Sequence, residues 1–269
     1  MQGHVMTETP PAAEVNALKR LWAAGQTVVN GWLAIPGGVG AEIMANQGWD
    51  SLTIDLQHGL IDYQAMVLML QAIATTATTP VVRAPWLEPG ILGKCLDAGA
   101  QAIICPMINT REEAQRFVAY TTYAPRGSRS YGPIRATTRG LTRDTETANA
   151  ALTRFAMIET ATALDNLDDI LSVEGLDAVY IGPSDLSLSL GCEPAMDEVE
   201  PKVAQAIDHI LARTRAHGLE AGVHNASAKG ALTRAARGFR FVTAGGDVGF
   251  MMAGGLAAVR QMSVLRPKA

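Results

Sequence analysis

Short, β-branched apolar runs alternate with longer helical patterns along most of the 269-residue chain. Eight such pairs can be counted, and repeated strand–helix units build parallel sheets covered by helices. Eight units in about 250 residues match the size of an α/β protein of the (β/α)8 TIM-barrel class. The predicted strands cover residues 27–33, 51–55, 81–83, 102–105, 155–158, 178–181, 221–224 and 239–243.

Helical patterns fill the intervals between these strands, and a further helix over residues 14–24 precedes the first strand. A doubly wound open sheet is the alternative architecture. It is disfavoured because Gly37, Gly38 and Gly40 lack the third glycine of the dinucleotide-binding fingerprint. We therefore expect a single barrel domain over residues 13–269, after a disordered tail of residues 1–12. The predicted later helices cover residues 40–47, 62–75, 89–98, 110–120, 164–171, 197–217, 228–236 and 246–262.

Composition excludes several classes of protein. With 48% hydrophobic and 18% charged residues, the chain can bury a large core and is not disordered throughout. A net charge of −4 predicts no attraction to nucleic acid or to an anionic membrane surface. Apolar runs end well before the ~20 residues that a membrane span needs. The three cysteines are far apart and form no CxxC pair, which favours a cytoplasmic protein without disulfides.

Charged side chains stand where four predicted strands end. Asp55 ends the second strand and is followed three residues later by His58, whereas Arg83 ends the third strand. Glu159 follows the fifth strand and Asp185 lies just beyond the sixth. Because the carboxyl ends of all barrel strands meet at one mouth, where active sites form, we expect these groups to converge there.

The Asp55 carboxylate is predicted to accept the imidazole N–H of His58, which would fix the tautomer of a general base. A helix N-cap or a loop acid is the alternative role for Asp55. Arg83 is followed by Ala-Pro, which prevents a helix from continuing, and we expect it to face an oxyanion rather than only a loop carboxylate.

Glu159 and Asp185 form a candidate metal site, because two carboxylates with open positions are the usual ligands of Mg²⁺ or Mn²⁺. Co²⁺ and Zn²⁺ also suit such a pair. A solvated rim acid is the alternative for Glu159, and a helix N-cap is the alternative for Asp185. Gly182 and Pro183 allow a close backbone approach, and the N–H groups of Ser184 and Asp185 are candidates to bind a substrate carboxylate.

Three further regions carry candidate residues. The longest irregular stretch, about residues 124–142, is interpreted as a functional loop after the fourth strand, at the active-site end of the barrel. His224 is predicted to end the seventh strand, either as a rim residue or hydrogen-bonded to Asn225 or the backbone. Gly245 and Gly246 are predicted to begin the last helix. The irregular stretch and its edge carry Arg126, Arg129, Arg135, Arg139 and Arg143.

Six segments occur in a characteristic order: IDLQHGLID, VVRAPW, CPMINTREEA, YAPRGSRSYGP, MIET and VYIGPSDLS. Together they resemble the metal-dependent (class II) pyruvate aldolases of the 4-hydroxy-2-oxoheptanedioate aldolase family, which are related to citrate-lyase β-subunit-type enzymes. The resemblance covers about residues 31–260. It implies reversible cleavage of a 4-hydroxy-2-oxo acid to pyruvate, or hydroxypyruvate, and an aldehyde.

The resemblance also implies roles for individual residues. His58 would be the catalytic histidine, Asp55 its carboxylate partner and Arg83 the arginine that stabilises an enolate. Glu159 and Asp185 would be the metal ligands. The resemblance further implies a hexamer, built as a trimer of dimers, in which neighbouring barrels exchange the last helix.

The chain departs from the family pattern at three positions. Met157 stands where many relatives carry Gln, and Gln57 and Leu60 stand where many carry Glu and Pro in the histidine loop. These changes leave the proposed base and metal ligands in place, so they bear on the substrate rather than on the reaction class.

Three other functions stay open at this point. A Schiff-base aldolase would need a lysine at the barrel mouth, and none of the five lysines ends a predicted strand. A citryl- or malyl-CoA-type lyase could use the arginines of residues 124–142 to hold the phosphates of CoA. A non-catalytic barrel could bind a keto acid without turning it over.

Overall fold

The computed structural model describes residues 16–141 and 144–265. Eight parallel strands pair in chain order, and the last pairs with the first, so the sheet closes into a barrel. The predicted (β/α)8 fold is confirmed. The predicted tail of residues 1–12 and Arg143 lie outside the described residues. The strands are β1 (Val28–Leu33), β2 (Ser51–Asp55), β3 (Thr79–Arg83), β4 (Ala102–Cys105), β5 (Thr153–Ile158), β6 (Ala178–Ile181), β7 (Glu220–Val223) and β8 (Phe241–Gly246).

Helices surround this barrel. No helix among the described residues combines the length and apolar character needed to span a membrane. A short 3₁₀ helix, Met262–Leu265, follows the last α-helix. The α-helices are α1 (Ala17–Ala23), α2 (Gly38–Ala45), α3 (Tyr63–Ile73), α4 (Pro89–Asp97), α5 (Arg111–Thr121), α6 (Ile134–Thr138), α7 (Thr145–Ala151), α8 (Ala161–Asp165), α9 (Leu167–Leu171), α10 (Pro183–Ser189), α11 (Pro201–Ala216), α12 (Ala228–Arg237) and α13 (Asp247–Gln261).

The end of the last strand differs from the prediction. Gly245 and Gly246, predicted to begin the last helix, end β8 instead, and α13 begins at Asp247. The reason is that β8 continues to pair with β1 as far as Trp32 and Gly246. Gly245 has a φ of 132°, which an L side chain rarely adopts, so this strand end requires a glycine.

The arginine-rich stretch lies at the end of the barrel opposite to the strands' carboxyl ends, so its predicted position at the mouth is wrong. Helix α5 follows β4 and carries the chain back before the stretch begins. Arg135 donates hydrogen bonds to the carbonyl oxygens of Ala98 and Leu70, near the carboxyl ends of α4 and α3. Arg139 donates to the carbonyl of Ala74 at 2.9 Å.

Apolar and polar layers share the barrel interior. Phe155, Tyr180 and Phe241 are completely buried there and pack against one another. Asn30 is buried beside them, and its Oδ1 accepts hydrogen bonds from Ser51 and Thr53. Thr243 accepts from Asn30 Nδ2 at 3.0 Å and lies 2.7 Å from the hydroxyl of Tyr180. These bonds satisfy the buried polar groups that lie below the mouth.

Candidate active site

An open cavity of about 350 Å³ lies at the carboxyl ends of the strands. It brings together four of the charged residues that the sequence placed at strand ends with several apolar side chains. Its lining consists of Trp32, Asp55, His58, Arg83, Met157, Gly182, Pro183, Ser184, Asp185, Met196 and His224.

Asp55 and Arg83 form a buried ion pair at the mouth. They end β2 and β3 and are direct partners in the parallel register. Arg83 Nε donates to Asp55 Oδ1 at 2.8 Å and Nη2 donates to Oδ2 at 2.5 Å, which is a bidentate geometry. Burial raises the pKa of Asp55, but the hydrogen bond and charge of Arg83 outweigh burial and hold this pKa below its usual value.

Asp55 contacts His58 through the backbone and not through the imidazole. Its Oδ1 accepts the backbone N–H groups of Gln57 at 3.0 Å and His58 at 3.3 Å. The expected hydrogen bond from the imidazole is not found among the described residues, because Arg83 lies directly across the register and binds both carboxylate oxygens. The exposed side chain of His58 faces the cavity.

The loop that carries His58 turns sharply after β2. A Cβ at Gly59 would collide with the carbonyl oxygen of Asp55, so this turn requires a glycine. Leu60 then donates its backbone N–H to the carbonyl of Ala34 at 3.0 Å. These contacts tie the His58 loop to β2 and to the segment that follows β1.

Trp32 packs against the ion pair from β1. Its indole Nε1 donates to Asp55 Oδ2 at 3.2 Å, and the Arg83 guanidinium carbon lies 4.9 Å from the centre of its ring. Trp32 thus makes a hydrogen bond to Asp55 and a cation–π contact with Arg83. The three groups therefore form one unit across β1, β2 and β3.

Glu159 follows β5 and is 1% exposed. Its Oε1 accepts the N–H of Met107 at 2.9 Å, but its buried Oε2 has no hydrogen-bond partner among the described residues. The pKa of Glu159 is raised to about 7, mainly by burial; the Met107 hydrogen bond and the charge of Arg83 oppose the rise, and the charge of Asp185 adds to it. Met107 adopts a left-handed φ of 56°, which is uncommon for a residue other than glycine.

The carboxylates of Glu159 and Asp185 are the candidate ligands for a divalent cation. The buried Oε2 atom of Glu159 has no donor in the described part of the chain, and such an atom is costly unless a cation or a donor satisfies it. A Cβ at Gly182 would collide with this oxygen, so the glycine keeps the space beside it open. No cluster of three or more His, Cys, Asp or Glu residues suited to a metal occurs in residues 16–141 and 144–265. Two carboxylates with open positions nevertheless match the way Mg²⁺ and Mn²⁺ are held.

Asp185 is not the N-cap of the helix after β6. Gly182 occupies that position, Pro183 begins α10 and Asp185 is exposed in the first turn. No side chain caps this end of α10. The backbone N–H groups of Ser184 and Asp185 therefore border the cavity without a side-chain acceptor.

His224 lines the cavity just beyond β7, and its Nδ1 lies 2.9 Å from the Tyr180 hydroxyl. Its ring packs edge-on against Trp32, with ring centres 4.6 Å apart. Burial, and to a smaller extent the charge of Arg83, lower the pKa of His224 to about 4, so the ring is neutral near pH 7. The hydrogen bond to Tyr180, and not one to Asn225, holds this histidine.

Sequence reasoning assigned no role at the site to Trp32, Tyr180 and Met196. Trp32 and Tyr180 are aromatic residues near the ends of strands, and only the inward alternation of strand residues could have indicated them. Met196 lies in the connection between α10 and α11, where no periodic pattern marks a residue that faces the cavity.

The cationic groups required by two alternative functions lie elsewhere. Lys19 pairs with Asp177, Lys94 lies over the ring of Tyr63, and no lysine among the described residues lines the cavity. Lys268 lies outside the described residues. The side chains of Arg129, Arg135 and Arg139 bind an acid or backbone carbonyls at the far end of the barrel, so they cannot hold CoA phosphates at the mouth.

Comparison with known proteins supports the resemblance seen in the motifs. Residues 32–253 match the family model described as HpcH/HpaI aldolase/citrate lyase. The chain is 41% identical over 248 residues to a hydroxypyruvate/pyruvate aldolase of Rhizorhabdus wittichii, and the matched region covers 92% of this chain and 97% of that protein. It is 35% identical over 252 residues to a 4-hydroxy-2-oxo-heptane-1,7-dioate aldolase of Salmonella typhimurium, with coverage of 93% and 95%.

A solved structure of the same family has a similar fold. The fold matches an HpcH/HpaI aldolase/citrate lyase family protein from Burkholderia cenocepacia with a TM-score of 0.84 and 30% sequence identity, covering 91% of this chain and 98% of that one. The predicted family resemblance is thus confirmed. The chain belongs to the HpcH/HpaI aldolase/citrate lyase family.

Proposed function

We propose that this protein is a carbon–carbon lyase, specifically a class II aldolase that reversibly cleaves 4-hydroxy-2-oxo acids to pyruvate, or hydroxypyruvate, and an aldehyde. One observation carries the proposal. Glu159 Oε2, which has no hydrogen-bond partner within residues 16–141 and 144–265, lies buried next to Gly182 at the mouth that also holds the Asp55–Arg83 pair and His58. The names of the relatives at 41% and 35% identity support this class of reaction.

Glu159 and Asp185 would hold the divalent cation, Mg²⁺ or Mn²⁺, with Co²⁺ or Zn²⁺ as alternatives. When bound, such a cation supplies Lewis acidity that stabilises negative charge on the oxygens of a 2-oxo acid. The backbone N–H groups of Ser184 and Asp185, next to Gly182 and Pro183, would orient the substrate carboxylate.

In the cleavage direction, His58 accepts the proton of the C4 hydroxyl. The C4 oxygen forms the aldehyde carbonyl, the C3–C4 bond breaks, and its electron pair forms the C2–C3 double bond of an enolate with the charge on the C2 oxygen. Arg83, which Asp55 holds in place, supplies a fixed positive charge near that oxygen. A proton returned to C3 completes pyruvate.

We also propose that the protein assembles through α13, as the helix-exchanged hexamer implied by the family resemblance requires. No residue of α13 is buried, although Phe250, Met251, Met252 and Leu256 give it an apolar surface. Contiguous apolar surface of this kind marks an interface.

The three free cysteines support a cytoplasmic location, because reducing conditions keep thiols unpaired.

Removal of metal tests the reaction. We expect chelator-treated protein to release no pyruvate from a racemic 4-hydroxy-2-oxo acid, and Mn²⁺ or Mg²⁺ to restore release, because without the cation the enolate loses its Lewis acid and faces two repelling carboxylates. Lactate dehydrogenase coupling measures the pyruvate. Undiminished release from protein shown to be metal-free would contradict the class II mechanism.

Replacement of His58 tests the general base. His58→Ala should lower kcat by about 10²- to 10⁴-fold, because the C4 hydroxyl loses its proton acceptor. Pyruvate affinity, measured by calorimetry with Mn²⁺ present, should stay within about twofold, since the other binding groups are intact. His209→Ala on the exposed face of α11 is the matched control and should retain full activity. Near-normal turnover of His58→Ala would remove this residue from the mechanism.

Replacement of Arg83 tests the ion pair. A lysine cannot donate two parallel hydrogen bonds to Asp55, so Arg83→Lys should lower kcat/KM at least about 10²-fold. Its free energy of unfolding in urea should fall by about 1–3 kcal/mol, because part of the buried carboxylate loses its donor. Arg237→Lys, in the half-exposed pair with Asp208, is the control for which neither quantity should change appreciably. A fully active Arg83→Lys enzyme would refute the role of the bidentate pair.

Assembly through α13 is tested by a charge on its apolar surface. Met251→Asp should reduce the molar mass found by light scattering, because an unpaired carboxylate would be buried in the interface. Leu232→Asp makes the same change at a side chain of α12 that is similarly exposed, and it should keep the wild-type mass. A monomeric wild-type protein, or an unchanged mass for Met251→Asp, would contradict the proposal.

A further inference from the structure

Two methionines line the active-site cavity at different depths. Met157 is 2% exposed, and its terminal carbon would lie 2.6 Å from a Cβ at Gly182, beside Glu159. Met196 is 38% exposed and lines the same cavity nearer to solvent. Under the proposed function, the 2-oxo acid occupies the buried end near Glu159. Met196 therefore faces the part of the substrate that becomes the aldehyde.

Met196 is held on both sides by hydrogen bonds of its neighbours. Asp197 accepts the backbone N–H of Ala226 at 3.0 Å and the hydroxyl of Ser227 at 2.6 Å, so it is tied to the connection after β7. The Ser184 hydroxyl donates to the carbonyl of Ala195 at 3.4 Å and ties the other side to α10. The backbone on both sides of Met196 is thus held in place, and its side chain forms an apolar part of the cavity wall.

The charges around the cavity do not favour a second carboxylate on the substrate. Among the described residues that line it, Arg83 carries the only guanidinium or ammonium group, and Asp55 already accepts from its Nε and Nη2. A distal carboxylate at Met196 would therefore lie beside an apolar side chain without a cation to pair with, which is unfavourable.

We propose that Met196 determines the aldehyde specificity of this enzyme, and that the preferred aldehyde is neutral with a short apolar chain. The inference rests on the proposed aldolase function and deepens it. It distinguishes this chain from the relative whose name, 4-hydroxy-2-oxo-heptane-1,7-dioate aldolase, specifies a second carboxylate. In the addition direction, C3 of the pyruvate enolate bonds to the aldehyde carbon, and the new alkoxide takes a proton from His58.

Two aldehydes of equal length test the preference: butanal and 4-oxobutanoate, each added to pyruvate by the Mn²⁺-loaded full-length protein. Wild-type kcat/KM should be at least about tenfold higher for butanal, because the carboxylate would remain unpaired. Met196→Ala should lower kcat/KM for butanal about tenfold. The kcat/KM for acetaldehyde should stay within twofold of wild type, since acetaldehyde is too short to contact the Met196 side chain. Met196→Leu should retain the wild-type kcat/KM for butanal. Asp197→Ala should lower it as Met196→Ala does, because the backbone beside Met196 loses its hydrogen bonds.

Met196→Lys provides the decisive variant, because it places a cation on the same wall. It should raise kcat/KM for 4-oxobutanoate and lower that for butanal, each by about tenfold. Exchange of the C3 protons of pyruvate with D2O, followed by NMR, requires no aldehyde and should stay within twofold of wild type in every Met196 variant. This readout separates an effect on the acceptor from a general loss of the site.

The outcomes distinguish the two proposals. If wild-type protein neither exchanges the C3 protons of pyruvate nor forms an aldol, the proposed function is wrong and the inference falls with it. If exchange is normal but 4-oxobutanoate is the better acceptor, or the Met196 variants leave the ratio of the two aldehydes unchanged, only the specificity role of Met196 is wrong.

Discussion

The buried pair between Asp55 and Arg83 is the interaction on which the rest of the active site depends. It joins the last residues of adjacent parallel strands, and Trp32 extends it to a third strand. The same carboxylate accepts the backbone N–H groups that begin the His58 loop. Loss of one partner from a buried pair typically costs about 3–5 kcal/mol, because the remaining charge is uncompensated. One pair therefore sets the position of both the Arg83 guanidinium and the His58 loop.

The cavity divides into a buried charged end and an open apolar end. Glu159 is desolvated, and one of its oxygens has no partner among the residues that the structure describes, which suits a carboxylate that serves as a ligand of a cation. His224 is held neutral by burial and contributes polarity without a second positive charge. Met196 lies at the solvent side. Under the proposed function, electrostatic stabilisation is concentrated where the enolate would form, and the aldehyde would meet apolar contacts.

The opposite end of the barrel uses arginine for structural purposes. Arg129 pairs with Asp97 and lies over the ring of Tyr123, while Arg154 is buried and bonded to Thr121 and Thr122. These side chains bind carbonyl, hydroxyl and carboxylate oxygens where helices return to the strands. The arginine cluster was predicted to be a functional loop at the mouth, but its charges are satisfied inside the fold at the opposite end.

The sequence by itself determined the barrel and the strand ends that supply the candidate chemistry, because periodicity is local and parallel strands place their carboxyl ends at one mouth. Asp55, His58, Arg83 and Asp185 could be found for that reason, and all line the cavity. Only the tertiary structure decided that Asp55 binds Arg83 rather than the imidazole, since strand register is a non-local property. It also decided the end at which residues 124–141 lie and the position of Met196, because the return of α5 and a loop tied by Asp197 depend on contacts distant in the chain.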